Sequence, residues 1–114
     1  MSENSIQHSI SLQQAIDMTT LYRANRPAAF PICETFEKSS VLALLSHVDA
    51  AYLRVYYGMK ASGEVDAILV VANSENEDIL SESDTNEIDS TETLILEDGF
   101  RCPQYCPPSS PLNT

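Results

Sequence analysis

Three cysteines carry the most reactive side chains of this 114-residue chain, and their spacing limits the chemistry open to them. Cys102 and Cys106 are separated by three residues, while Cys33 lies far upstream. Four-ligand zinc sites usually show two paired clusters, whereas this chain has one, with His8 and His47 as remote candidates. Cys102, Cys106 and Cys33 therefore make an incomplete metal set. Cys102 and Cys106 each precede a proline, a context associated with thiolate ligation of haem, but a two-residue pattern is common by chance. A Cys102–Cys106 disulfide would close a tight ring, and in a reducing compartment such a bond rarely persists unless it is redox-active. Structural thiols, metal or haem ligation and redox exchange all stay open, and the compartment argument puts the structural reading first.

The other chemistry-bearing side chains are sparse. A histidine at the end of a helix favours the negative end of the dipole, which suffices to explain His47, and His8 lies in a polar stretch. No nucleophile elbow or glycine-rich phosphate loop is present, and no activated nucleophile or acid–base pair can be named. Asp84, Asn86 and Asp89 lack the glycine and terminal glutamate of a calcium loop. Tyr52, Arg54 and Tyr56 share one face of a strand, and a guanidinium between two phenol rings suits stacking, a carboxylate ligand or the chain's own acidic segment. The plainer alternative closes that face with the C-terminal tail and pairs Arg54 with Asp66 across a hairpin.

These residues need elements to position them. Ser11-Leu12-Gln13-Gln14 matches a capping box and predicts a helix start. Leu12, Ala15, Ile16, Thr19 and Tyr22 continue it as one apolar stripe, and Asn25-Arg26-Pro27 supplies the stop. Residues 28–33 are short and apolar around Pro31, which fits an edge strand or an extended connection. Thr35 or Ser39-Ser40 can cap a second helix burying Phe36, Val41, Leu44, Leu45 and Val48, with its end near His47.

Residues 52–59 and 65–72 are aromatic and branched, and Lys60-Ala61-Ser62-Gly63-Glu64 lies between them. This spacing predicts a hairpin with Gly63 left-handed and Lys60 opposite Glu64. The resulting register puts Leu53, Val55, Tyr57 and Met59 beside Val65, Ala67, Leu69 and Val71, an apolar face expected to receive both helices. The opposite face, with Tyr52, Arg54, Tyr56, Ile68 and Val70, is too apolar to sit bare in water. Residues 93–97 read as a third short strand. From Cys102 the chain is proline-rich and reads as extended.

Charge is concentrated rather than spread. The net charge is −11, yet residues 61–100 contain no Lys or Arg and hold 12 of the 17 acids. The central part, 73–92, reads as a solvated acidic loop. Such a balance repels phosphate backbones and anionic lipid, so neither nucleic acid nor membrane is an expected partner. No apolar run approaches the roughly 20 residues of a membrane-spanning helix, and the polar first 14 residues lack a signal-peptide pattern, so cytoplasmic residence is expected.

The helix at 12–23, the Leu53-Arg54-Val55-Tyr56-Tyr57-Gly58 strand and the Cys102-Pro103-Gln104-Tyr105-Cys106 tail together resemble a group of small bacterial proteins of unknown activity. The resemblance implies a single bacterial domain and transfers no site residue. The reading as a whole is an α+β domain over residues 1–114. It has a flexible start at 1–10, two N-terminal helices packed on a small antiparallel sheet, an acidic loop at 73–92 and an extended Pro/Cys-rich tail at 102–114. The expected function is a non-catalytic, cofactor-free interaction or self-assembly module. Tyr52, Arg54, Tyr56, Ile68 and Val70 would form its contact, with another copy or a different protein as partner. The alternative is a metal- or haem-binding protein using Cys102, Cys106 and Cys33.

Overall fold

The computed structural model describes residues 6–80 and 94–114, and two helices and two small antiparallel sheets lie within them. Helix α1, Leu12–Asn25, starts at the capping box: Ser11 Oγ accepts from the Gln14 N–H at 3.0 Å, and Gln14 Oε1 accepts from the Ser11 N–H at 2.9 Å. Arg26, which Pro27 keeps out of the helical region, ends it. The apolar stripe is only half-buried and Leu12 is exposed.

Strand β1, Cys33–Thr35, follows, and then helix α2, Lys38–Leu45. Glu37 takes the N-cap position without a side-chain bond, and the helix ends at Leu45 with Ser46 rather than His47 as its cap. Leu44 alone is fully buried, with Phe36 and Val41 packed around it, while Leu45 and Val48 face solvent. An eight-residue helix presents barely two turns, so one apolar contact surface is all that it can offer.

The hairpin forms in the expected register. Strand β2, Tyr52–Met59, pairs antiparallel with β3, Val65–Ala72, matching Tyr52 with Ala72 and Met59 with Val65. Gly63 takes φ +95, and the Lys60 N–H donates to the Glu64 carbonyl at 2.9 Å. At Gly58 a Cβ would lie 2.8 Å from Ile68 Cδ1, so a larger residue there would make the end of the Ile68 side chain shift. A second sheet joins β1 to β4, Phe100–Cys102, with Cys33 opposite Cys102 and Glu34 opposite Arg101.

Two expectations are overturned. The helices do not pack together on one face of one sheet: α2 meets β3 through Leu44, whereas α1 is tied to the chain's end, where Arg23 donates to the carbonyl oxygens of Leu112 and Thr114. No residue of α1 is buried and its apolar stripe is weak, so α1 has no strong face to pack on the sheet, and the β1–β4 ribbon meets the hairpin at the outer edge of β3. The tail is also not wholly extended, since Cys102 belongs to a ladder and residues 103–105 and 111–113 turn. Of the expected strand at 93–97, Leu96 forms a single bridge to Leu69, and Thr93 lies outside the described residues. The expected acidic loop is described only over 73–80, where Asp78 bridges to Ala72.

Candidate functional site

The two strands of the hairpin have equal length and different surroundings. Period-two alternation, anchored by the Lys60–Glu64 bond, turns the backbone groups of Val65, Ala67, Leu69 and Val71 away from β2. Each of these residues finds a partner there. The Val65 N–H donates to the Ala29 carbonyl at 2.9 Å and the Ala67 N–H to Glu34 Oε1 at 3.1 Å. Leu69 exchanges two bonds with Leu96, and the Ile79 N–H reaches the Val71 carbonyl at 2.9 Å. Val71 is completely buried.

The same alternation turns the N–H and C=O groups of Leu53, Val55, Tyr57 and Met59 outward from β2. Among the described residues none of these groups has a hydrogen-bond partner. The side chains beside this edge are open: Tyr57 is 78% exposed and Met59 70%, with Tyr52, Leu53, Val55 and Tyr56 near half. A long apolar edge without proline or bulge is the arrangement that natural sheets usually blunt. Val55 and Tyr57 also wall a cleft of about 580 Å³ whose other sides are Tyr22, Phe30, Phe36 and Leu69.

The expected contact face is partly used by the chain itself. Arg54 forms an ion pair with Asp78 and also bonds the Asn76 side chain, and Tyr56 Oη donates to Asp78 Oδ2 at 2.5 Å. The Tyr56 hydrogen bond first, and Arg54 second, hold the Asp78 carboxyl below its ordinary range. The acidic stretch therefore supplies the carboxylate that the Tyr–Arg–Tyr pattern can bind, and the alternative Arg54–Asp66 pair does not form. Val70 is 3% exposed and Ile68 half-buried, so Tyr52 and the ring of Tyr56 are what remains open on that face.

Asp66 instead anchors a charge cluster where the hairpin meets the β1–β4 ribbon. Although 4% exposed, it pairs with Arg101 Nε at 3.1 Å and Lys60 Nζ at 3.3 Å. Arg101 also donates to the carbonyls of Ala29 and Val65, and Lys60 to Glu97 at 2.6 Å. Glu34 completes the cluster. Burial, then its hydrogen bond with Asp66, pushes the Glu34 carboxyl up to about 7, while the same bond holds Asp66 below its ordinary value. Glu34 Oε2 and Asp66 Oδ2 are both buried, the second with only the Lys60 ammonium 3.3 Å away, so a proton on Glu34 donated to Asp66 satisfies the Glu34 oxygen and adds to the Lys60 contact. Glu34, Asp66 and Arg101 come from three distant stretches, and the only local signal was an acid, Asp66, inside an apolar strand.

Cys102, 2% exposed, forms a disulfide with Cys106, which the Arg101–Tyr105 turn brings back to it. A disulfide sulfur is not a thiolate ligand, so in this state neither cysteine offers one. Among the described residues no three His, Cys, Asp or Glu side chains converge as a metal-ligating group. Cys33 is a free thiol, half-buried and directly across the ribbon from Cys102. His47 Nδ1 accepts from the Asp49 N–H at 3.0 Å, a local role, and His8 is exposed. No helix among the described residues is long and apolar enough to cross a membrane. No family model, curated protein or solved structure matches the chain.

Proposed function

We propose that this chain is a non-catalytic self-association module that pairs through the outer edge of β2. The observation that carries this reading is the row of outward N–H and C=O groups at Leu53, Val55, Tyr57 and Met59, without partners among the described residues and flanked by exposed apolar side chains. An added strand would complete these bonds and cover those side chains together. A second copy is the fitting occupant. Antiparallel pairing of β2 with itself about a two-fold axis is self-complementary, and it joins residues of the same facing, so Leu53, Val55, Tyr57 and Met59 of both copies meet on one side. The only charge on β2, Arg54, is already neutralised by Asp78, so the edge itself carries no uncompensated charge. Cytoplasmic residence belongs to the same proposal.

Sedimentation of the full chain over a concentration series tests the reading. The wild type is expected to pass from one chain to two, more readily at high salt, because screening weakens the repulsion between copies of charge −11. Tyr57→Pro removes one outward N–H and leaves the β2–β3 bonds alone, so it should stay folded and monomeric. Tyr56→Pro, one residue away, removes an N–H directed at β3 and should disrupt the hairpin. A wild type that remains a single chain throughout, or a folded Tyr57→Pro variant that associates as well as the wild type, would contradict the proposal.

A further inference from the structure

Cys33 is brought beside the Cys102–Cys106 pair although it is far from both in sequence. Cys33 and Cys102 are direct partners in the antiparallel β1–β4 ribbon, and Ile32 N–H donates to the Cys102 carbonyl at 2.7 Å. Direct cross-strand partners have Cα atoms about 4.5 to 5.5 Å apart, inside the range that a disulfide spans. The existing Cys102–Cys106 bond has a Cα–Cα distance of 4.4 Å, so Cys102 is bonded within its own turn while Cys33 stands opposite it across the ribbon. The ribbon is held in register from both strands: Glu34 accepts from the Ala67 N–H, and Arg101 pairs with Asp66. Cys102 is buried, whereas Cys106 is exposed on the turn.

From this arrangement we infer that Cys33, Cys102 and Cys106 form a thiol–disulfide exchange centre whose external substrate is a low-molecular-weight disulfide. In the first step the Cys33 thiolate attacks Cys102 Sγ. A Cys33–Cys102 bond forms, the Cys102–Cys106 bond breaks, and Cys106 leaves as a thiolate. In the second step that exposed thiolate attacks one sulfur of the external disulfide, forms a mixed disulfide and releases the other half as a thiolate, which takes up the proton lost by Cys33. Two disulfides and one thiol are present before and after, so no further oxidant or reductant is required. Burial, and then the neighbouring Glu34 charge, hold the Cys33 thiol above its ordinary range. The exchange is therefore slow at neutral pH and quickens about tenfold per pH unit below the Cys33 value.

Oxidised glutathione is the probe. The full oxidised chain is incubated with it, quenched with acid, digested with trypsin and mapped by mass spectrometry. Cleavage separates Cys33 from the peptide that holds Cys102 and Cys106, so a Cys33–Cys102 bond links two peptides and the original bond links none. The expected product carries glutathione on Cys106 together with the linked peptide in equal amount, at a rate independent of protein concentration. In Cys33→Ser both signals should be lost. Cys106→Ser should form the Cys33–Cys102 bond on mild oxidation. Glutathione found on Cys33 with the Cys102–Cys106 bond intact, equal uptake at Cys106 by Cys33→Ser, no uptake up to pH 9, or a folded Cys106→Ser that forms no bond would each overturn the inference.

Discussion

Strands β2 and β3 belong to one hairpin, have eight residues each and are both apolar, yet one is the floor of the molecule and the other its open side. Five of the eight residues of β3 are buried apolar side chains and a sixth is Asp66, whereas β2 has none buried. Composition separates them only in part, since β3 is aliphatic apart from Asp66 while β2 carries three tyrosines and Arg54 among its apolar residues. The larger difference lies in the far edge: three stretches, one carrying Ala29 and Glu34, the others Ile79 and Leu96, hydrogen-bond the outer side of β3, and none of the described residues hydrogen-bonds the outer edge of β2. Strand propensity marks what can form a ladder, while long-range packing decides which edge is closed.

The comparison is broken or sharpened most strongly by truncating one leucine on each strand. Leu69, 7% exposed, sits against Leu44 and Val71, and Leu69→Ala should lower unfolding free energy by about 2 to 5 kcal/mol. Leu53→Ala, at a position nearly half exposed, should cost less than about 1 kcal/mol at concentrations where the chain is monomeric. Urea unfolding measures both. Equal losses would mean that β2 is covered, and the distinction between the strands would fail.

A smaller effect concerns the closed edge alone. Glu34 is raised from an ordinary 4.5 to about 7, so the folded chain holds its proton more tightly than the unfolded one. The stability linked to that proton is fully present below pH 4.5 and is lost as pH rises through about 7. Asp66 runs the other way: its carboxyl is lowered, so its contribution is present above pH 3.8 and is lost as pH falls through its folded value. The urea midpoint should therefore fall between pH 5.5 and pH 8, and Glu34→Gln should flatten that fall. An unchanged slope in Glu34→Gln would assign the pH dependence elsewhere.

What could be read from the sequence was local. The Ser11–Gln14 box placed the start of α1, and the loop ending in Gly63 set the hairpin register, because each depends on atoms a few residues apart. The β1–β4 ribbon was hidden for two reasons. It joins Cys33 to Cys102 across most of the chain, and Pro103 directly after Cys102 made a ladder there look forbidden, although a proline just beyond a strand removes none of its bonds. The Tyr52–Arg54–Tyr56 face was legible as a carboxylate platform, but the choice of Asp78 over Asp66 was not, since either acid satisfied the pattern. The sheltered side of the hairpin was misplaced for a related reason. Face alternation says which side chains travel together and is silent about edges, and the open groups of β2 lie on an edge.

Amide hydrogen exchange, resolved by residue and followed as protein concentration rises, tests the free edge most directly. The amides of Leu53, Val55, Tyr57 and Met59 should exchange quickly in dilute solution and slow as copies pair, while those of Leu69 and Val71 stay protected throughout. Protection of the β2 amides that is already full in dilute monomer, or rapid exchange that no concentration alters, would contradict assembly through this strand.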